Sequence, residues 1–88
     1  MKLDFTGKSV IVTGGTRGIG RAVASAFAGA GAKVVISGRN AETAASIAAE
    51  IDGDVHGLAL DISDSASVSV FFPAAQEILG GVDVLVAN

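Results

Sequence analysis

The sequence predicts an α/β protein in which helices cover both faces of a parallel β-sheet. Four short apolar runs alternate with three helical patterns, and the connections between them are short. The first, second and fourth runs are rich in valine and isoleucine and are almost continuously apolar, as strands buried on both faces are. Right-handed crossovers between such strands give the strand order 3-2-1-4. The predicted strands cover residues 9–13, 33–37, 57–60 and 82–86.

The first helical pattern covers residues 21–27 and follows a glycine-rich turn. Ile19, Val23 and Phe27 recur every four residues. With the alanines beside them, they predict one apolar stripe that faces the sheet. Gly29 and Gly31 are expected to end this helix.

The second and third helices follow the second and third strands. The second is predicted to begin after Asn40, a residue type that caps helix N-termini well, and to end at Gly53. The third is predicted over residues 65–79. In the second helix, the spacing i, i+3, i+4, i+7 predicts a buried face formed by Ala44, Ile47, Ala48 and Ile51.

The third helix carries a proline in its interior. Asp64 or Ser63 could cap its N-terminus. Pro73 removes a backbone hydrogen bond and clashes with the preceding turn at a cost of ~3 kcal/mol. We therefore expect a kink or a break near Phe72. Since Phe71 and Phe72 are adjacent, one of the two rings is expected to face outward.

Composition restricts the class of protein. The 88 residues are enough for one small domain, and half of them are hydrophobic. A formal net charge of −3 without a basic stripe argues against nucleic acid or a membrane surface as a partner. The absence of cysteine and the single histidine, His56, argue against disulfides and metal sites. Without a signal peptide or an apolar run of about 20 residues, a cytoplasmic location is expected.

The most informative segment is the glycine-rich turn at residues 13–20, Thr-Gly-Gly-Thr-Arg-Gly-Ile-Gly. It joins a strand to a helix N-terminus, where backbone N–H groups and the helix dipole attract a phosphate. Glycine lets the phosphate approach the backbone, which a Cβ would prevent. A purely structural turn is the alternative. A P-loop is set aside because Arg21 and Ala22 occupy the positions of its lysine and hydroxyl residue.

The spacing Thr-Gly-x-x-x-Gly-x-Gly, with a strand before it and a helix after it, resembles the cofactor-binding turn of the short-chain dehydrogenase/reductase family. The resemblance covers essentially the whole chain but only the N-terminal part of a typical member. It implies a truncated, doubly wound Rossmann-type fold in which residues 1–88 are the dinucleotide-binding part, with no second domain. The turn residues that it assigns to the cofactor are Gly14, Gly15, Thr16, Arg17, Gly18, Ile19 and Gly20.

The end of the second strand favours NADP over NAD as the cofactor. An acidic residue that binds the NAD ribose is expected about 20 residues after the glycine turn. Gly38 and Arg39 stand there instead. A 2′-phosphate then meets no carboxylate and gains a bidentate guanidinium donor. In the family, basic residues at the positions of Arg17 and Arg39 accompany NADP. The alternative is that both arginines are solvated surface residues.

The resemblance assigns three further residues to the cofactor site. Asp61 would meet the adenine amino group, and Ile62 would pack beside the ring. Asn88 matches the second asparagine of the family's Asn-Asn-Ala-Gly signature, beside the adenosine ribose, although Ala87 replaces the first. Asp83 matches a structural family aspartate.

The residues that perform the family's chemistry would lie beyond Asn88. The family uses a serine, a tyrosine, a lysine four residues later and an asparagine, and this chain has no tyrosine. No catalytic residue is assigned, so the chain alone is expected to be inactive.

Two functions are therefore in competition. The first is the cofactor-binding portion of an NADP-dependent short-chain oxidoreductase that acts on a carbonyl or alcohol. The alternative is a non-catalytic dinucleotide-binding fragment, or an engineered half-domain, that self-associates. An unpaired edge at strand 4 leads us to expect self-association or a complementing chain.

Overall fold

Strands and helices alternate along the chain in the computed structural model, which describes residues 4–88. The four strands of these residues form one parallel sheet in the order β3-β2-β1-β4, which confirms the predicted order. None of the helices in this range combines the length and the hydrophobicity that crossing a membrane requires. The elements are β1 Ser9–Thr13, α1 Gly18–Gly29, β2 Lys33–Gly38, α2 Ala41–Glu50, β3 Asp54–Ala59, α3 Ser65–Leu79 and β4 Val84–Ala87.

The sheet is buried on both faces at its centre. Successive residues of a strand point to opposite faces. Val10, Val12 and Val34 pack with α1 and α2 on one face. Ile11 and Val35 pack with α3 on the other. The helices therefore cover both faces as predicted, which explains why β1 and β2 are apolar without alternation.

Helix α1 contacts the sheet through a different face from the predicted stripe. Its fully buried residues are small ones, namely Gly20, Ala24 and Ala28. Ile19 is 77% exposed, and Val23 and Phe27 are only partly buried. The prediction is wrong at Ile19 because small residues let the helix approach the sheet closely, so the larger side chains lie along its margins.

The predicted caps of α2 and α3 are present. Asn40 Oδ1 accepts a hydrogen bond of 3.1 Å from the N–H of Thr43. Asp64, rather than Ser63, caps α3, since its Oδ1 accepts a 3.0 Å bond from the N–H of Ala66. The predicted buried face of α2 is also confirmed, because Ala44 and Ala48 are buried with Ile51 and the half-buried Ile47 beside them.

Helix α3 continues through Pro73. The helix runs from Ser65 to Leu79 without interruption, so of the kink or break expected near Phe72 the break does not occur. Pro73 and Ser69 are both exposed, and water can therefore bond the Ser69 carbonyl that lacks its usual donor. Phe71 is 1% exposed and Phe72 37%, which confirms that one of the adjacent rings faces outward.

Three of the four strands differ from their predicted bounds, β2 by only one residue, since it ends at Gly38. β3 begins at Asp54, three residues earlier than predicted, because its backbone pairs with β2 from Lys33 onward. β4 covers Val84–Ala87 instead of residues 82–86. Just before it, the Asp83 carboxylate accepts a 2.8 Å bond from the N–H of Ser9. This contact ties the start of β4 to the start of β1, in agreement with a structural role for Asp83.

Candidate functional site

A groove of about 960 Å³ lies at the carboxyl end of the sheet. Residues that follow each of the four strands contribute to it, as is usual for ligand sites in open α/β sheets. Nine of the eleven residues predicted to bind a cofactor line it: Gly14, Thr16, Arg17, Gly18, Ile19, Arg39, Asp61, Ile62 and Asn88.

The other two predicted residues, Gly15 and Gly20, pack behind the groove. A Cβ built on Gly15 would lie 2.7 Å from Cγ2 of Ile36. A Cβ on Gly20 would collide with the carbonyl oxygen of Gly14 and lie 2.8 Å from Nδ2 of Asn88. Both glycines therefore let the turn approach the sheet and the end of β4 closely.

Side chains from β2 and from the residue after β4 hold the glycine-rich turn. Ser37 Oγ accepts a 3.0 Å hydrogen bond from the N–H of Gly14, and its carbonyl accepts a 3.1 Å bond from the N–H of Gly15. Asn88 Nδ2 donates to the carbonyl of Gly14 at 3.2 Å, and Asn88 N–H donates to Thr13 Oγ1 at 3.2 Å. Ser37 was not assigned to the site from the sequence. The signal for it was a polar residue at the end of an otherwise apolar strand, since its buried hydroxyl needs a hydrogen-bond partner.

The N-terminus of α1 opens onto the groove. The first N–H groups of a helix have no acceptor within the helix. Arg17, at the N-cap, forms no side-chain capping bond to them. Gly18 has φ +61°, and a Cβ built on it meets nothing within 4 Å. This end of the groove can therefore accept an anion close to the backbone.

Charged side chains of both signs border the groove. Arg17 and Arg39 line it and are exposed. Arg21, by contrast, lies 3.6 Å from Glu50 and is not part of the lining. The groove thus offers two guanidinium groups to an anionic ligand in addition to the helix N-terminus.

The Asp61 carboxylate is held in its ionised form. Its Oδ1 accepts hydrogen bonds from the hydroxyl of Ser63 at 2.6 Å and from the N–H of Ser63 at 3.0 Å. These bonds, together with attraction to Arg39, lower the pKa of Asp61 below its ordinary value of 3.8. At neutral pH the carboxylate is therefore an acceptor that faces the groove.

Further residues complete the walls of the groove. The first turns of α2 and the residues around β2 and β3 contribute Ser37, Gly38, Asn40, Thr43, Ile47, Leu60 and Ser63. Within residues 4–88, no three His, Asp or Glu side chains gather in a way that could hold a metal ion. The guanidinium groups, amides and hydroxyls suit the binding of an elongated anionic ligand that also carries a planar or apolar group.

Comparison with known proteins identifies a family model described as short chain dehydrogenase, which matches residues 8–88. One curated relative is the 3-oxoacyl-[acyl-carrier-protein] reductase FabG of Aquifex aeolicus (strain VF5). It is 37% identical over 92 residues, which cover 100% of this chain and 37% of the relative. The sorbitol dehydrogenase of Cereibacter sphaeroides is 42% identical over 88 residues, which cover 100% of this chain and 34% of that protein. The chain thus spans about a third of the length of these relatives.

Two solved structures superpose on nearly the whole of this chain. The hydroxysteroid dehydrogenase from Escherichia coli superposes with a TM-score of 0.91 at 39% identity, covering 99% of this chain and 38% of that chain. The RhlG/NADP active-site complex of Pseudomonas aeruginosa superposes with a TM-score of 0.91 at 35% identity, covering 99% of this chain and 36% of that chain.

Proposed function

The chain belongs to the short-chain dehydrogenase family of oxidoreductases, which bind NAD(P) on a Rossmann fold, and on that premise we propose that its groove binds NADP(H). Residues 1–88 are then the N-terminal dinucleotide-binding part of an enzyme that acts on a carbonyl or alcohol group. Bound NADP(H) supplies or accepts the hydride, and the residues of this chain bind and orient the cofactor.

The choice of NADP depends on one observation, the two arginines that border the same groove. Arg17 comes from the turn after β1 and Arg39 from the residue after β2. Gly38, where a carboxylate would select NAD, has no side chain. A 2′-phosphate would gain charge-assisted hydrogen bonds from the two guanidinium groups. The NADP in the Pseudomonas aeruginosa relative supports this choice.

The N-terminus of α1 suits the pyrophosphate. Its uncapped N–H groups and the dipole of a helix of 12 residues favour negative charge. Gly14 and Gly18 have φ of +68° and +61°, so the turn can expose its backbone where most other residues would be strained. Gly14 N–H donates to Ser37 Oγ, Asn88 Nδ2 donates to the Gly14 carbonyl, and these two hydrogen bonds hold this backbone in place.

The far end of the groove suits the adenosine. Asp61 provides an ionised acceptor for an amino group. Ile62 is 72% exposed, although large apolar side chains are usually buried, and a planar ring packed against it would remove that exposure. Ile19 is likewise 77% exposed, and both Ile19 and Asn88 line the groove. We assign these residues to the cofactor together with the glycine-rich turn.

Arginine substitutions in the protein that contains this chain test the proposal. Replacing Arg39 by alanine removes a guanidinium group that would donate hydrogen bonds to the 2′-phosphate, so the affinity for NADP⁺ should fall about tenfold or more. The affinity for NAD⁺ should stay within about twofold, because NAD⁺ has no 2′-phosphate. Arg17→Ala should act in the same direction. Isothermal titration calorimetry with both cofactors gives the dissociation constants.

Arg21→Ala is the matched control, because Arg21 is an arginine of α1 that pairs with Glu50 away from the groove. It should leave both affinities unchanged. A wild-type protein that binds NAD⁺ more tightly than NADP⁺, or arginine variants that lose both cofactors equally, would contradict the choice of NADP.

A further inference from the structure

Gly38 and Thr16 are packed against each other in the wall of the groove. A Cβ built on Gly38 would lie 2.7 Å from Cγ2 of Thr16, well inside the separation of packed carbon atoms. The next atoms are Thr16 Oγ1 at 3.5 Å and the Cβ of Ala44 at 3.7 Å, which are ordinary contacts. One methyl group of Thr16 therefore occupies the space that any side chain at position 38 would need.

Space, and not backbone conformation, explains why position 38 is glycine. Gly38 is the last residue of β2 and is not among the glycines with positive φ. Other residues could adopt this backbone without strain. The obstacle is thus removable, since it consists of a single group on a neighbouring residue.

Thr16 cannot easily move away from Gly38. The residue before it, Gly15, is bonded through its N–H to the carbonyl of Ser37, which directly precedes Gly38. The threonine side chain is β-branched and has few alternative rotamers. Displacing Thr16 would also displace its neighbour Arg17, which faces the groove.

We propose that the Thr16 methyl group is a determinant of cofactor specificity. It fills the space that an acidic side chain at position 38 would need. While Thr16 is present, no carboxylate at position 38 can be accommodated beside the cofactor ribose. The same contact sets the position of Arg17 relative to Arg39. This inference rests on the proposed function, because it concerns the discrimination between NADP and NAD at that site.

The proposal predicts that one substitution will not convert the cofactor preference but two will. Gly38→Asp alone should weaken NADP⁺ binding about tenfold or more without improving NAD⁺ binding, because the new side chain displaces Thr16. Adding Thr16→Ser removes the blocking methyl and keeps the hydroxyl. In that double variant, NAD⁺ affinity should rise about tenfold over Gly38→Asp alone. Calorimetric titration with each cofactor measures these changes.

Thr16→Val provides the matched control. Valine retains the methyl group and loses the hydroxyl, so Gly38→Asp combined with Thr16→Val should bind NAD⁺ no better than Gly38→Asp alone. Equal gains with serine and valine, or a full gain from Gly38→Asp alone, would overturn the role of the methyl group in specificity.

A stability measurement without cofactor separates this inference from the proposed function. Gly38→Ala should lower Tm by about 2–4 °C or more in the presence of Thr16, and should not lower it when Thr16 is serine. Equal tolerance of alanine in both backgrounds would overturn the packing argument. If this coupling is found but the wild-type protein prefers NAD⁺, the proposed function fails while the contact stands, and the specificity role is rejected.

Discussion

At the scale of single residues, the geometry of the groove depends on short polar side chains. Ser37 and Asn88 hold the Gly14 backbone from two sides. Ser63 orients the Asp61 carboxylate through both its hydroxyl and its N–H. The α2 cap at Asn40 lies at the same groove. These contacts fix backbone and side-chain groups that line the groove, and groups fixed in this way need less ordering when a ligand binds.

The Asp61–Ser63 pair predicts a pH-dependent stability. The hydroxyl of Ser63 lowers the folded-state pKa of Asp61 below its ordinary value of 3.8. The stability that the Asp61–Ser63 hydrogen bonds contribute is therefore fully present above pH 3.8 and is lost as pH falls through the lowered pKa of Asp61. Ser63→Ala should lower Tm at neutral pH, and the difference from wild type should shrink as pH falls below 3.8 and through the lowered pKa of Asp61. Thermal unfolding across this range measures it.

Ser65→Ala is the control for this experiment. Ser65 is an exposed serine in the first turn of α3, and its hydroxyl forms no hydrogen bond within residues 4–88. Its effect on Tm should not vary with pH. A Ser63→Ala difference that stays constant down to the lowest pH would show that Asp61 is not the titrating partner.

At the scale of elements, the contact between helix α1 and the sheet depends on small residues. The face against the sheet is built from Gly20, Ala24 and Ala28, while Ile19 is left on the surface at the groove. The close approach places the N-terminus of α1 next to the end of β1, with Gly20 against Gly14. The small residues of this helix therefore position the proposed anion site as well as the core.

Helix α3 accommodates a proline where its surface faces water. Pro73→Ala restores the missing N–H and should raise the free energy of unfolding by about 1–3 kcal/mol, since the gain in helix propensity exceeds the loss of rigidity in the unfolded chain. Urea denaturation measures the change. Gln76→Ala, at another exposed position of α3, should change stability by less than about 0.5 kcal/mol. A stability lowered by Pro73→Ala would mean that the proline ring makes a contact the helix needs.

At the scale of the whole molecule, the two faces of the sheet are covered unequally. Helices α1 and α2 share one face, and α3 covers the other alone, over β1, β2 and β3. Leu85 of β4 is 53% exposed and Val82, just before that strand, is 41% exposed. Within residues 4–88, the β4 end of the sheet therefore keeps apolar side chains in contact with water.

Because α3 covers its face of the sheet alone, its adjacent residues Phe71 and Phe72 should differ sharply in how much they contribute to the free energy of unfolding. Phe71 is 1% exposed and packs with Ile11, Val35 and Leu60. Phe71→Ala should lower the free energy of unfolding by about 3–5 kcal/mol. Phe72→Ala, at a ring that is 37% exposed, should lower it by less than about 1.5 kcal/mol. Denaturant unfolding of both variants measures the contrast, and equal losses would contradict the packing of Phe71 between α3 and the sheet.

The sequence predicted local features of the fold and the site well. The glycine-rich turn, the caps at Asn40 and Asp64 and the valine-rich strands are each encoded in a few neighbouring residues. Most of the residues assigned to the cofactor do line one groove, because parallel strands bring their carboxyl ends to the same edge of the sheet.

Other features depend on residues that are distant in the chain. The early start of β3 depends on its pairing with β2, and the orientation of Ile19 depends on how closely α1 approaches the sheet. No local pattern predicts either. The same holds for the continuity of α3 through Pro73, since burial of Phe71, Ala75 and Leu79 against the sheet stabilises the helix on both sides of the proline.

The sequence by itself determined the order of strands and helices, the parallel sheet and the place of the glycine-rich turn, because periodicity, capping and turn chemistry act over short distances along the chain. Only the tertiary structure decided that Ser37 holds this turn and that the Thr16 methyl group fills the space beside Gly38. These contacts join the ends of two strands, and they exist only once β1 and β2 have paired in register.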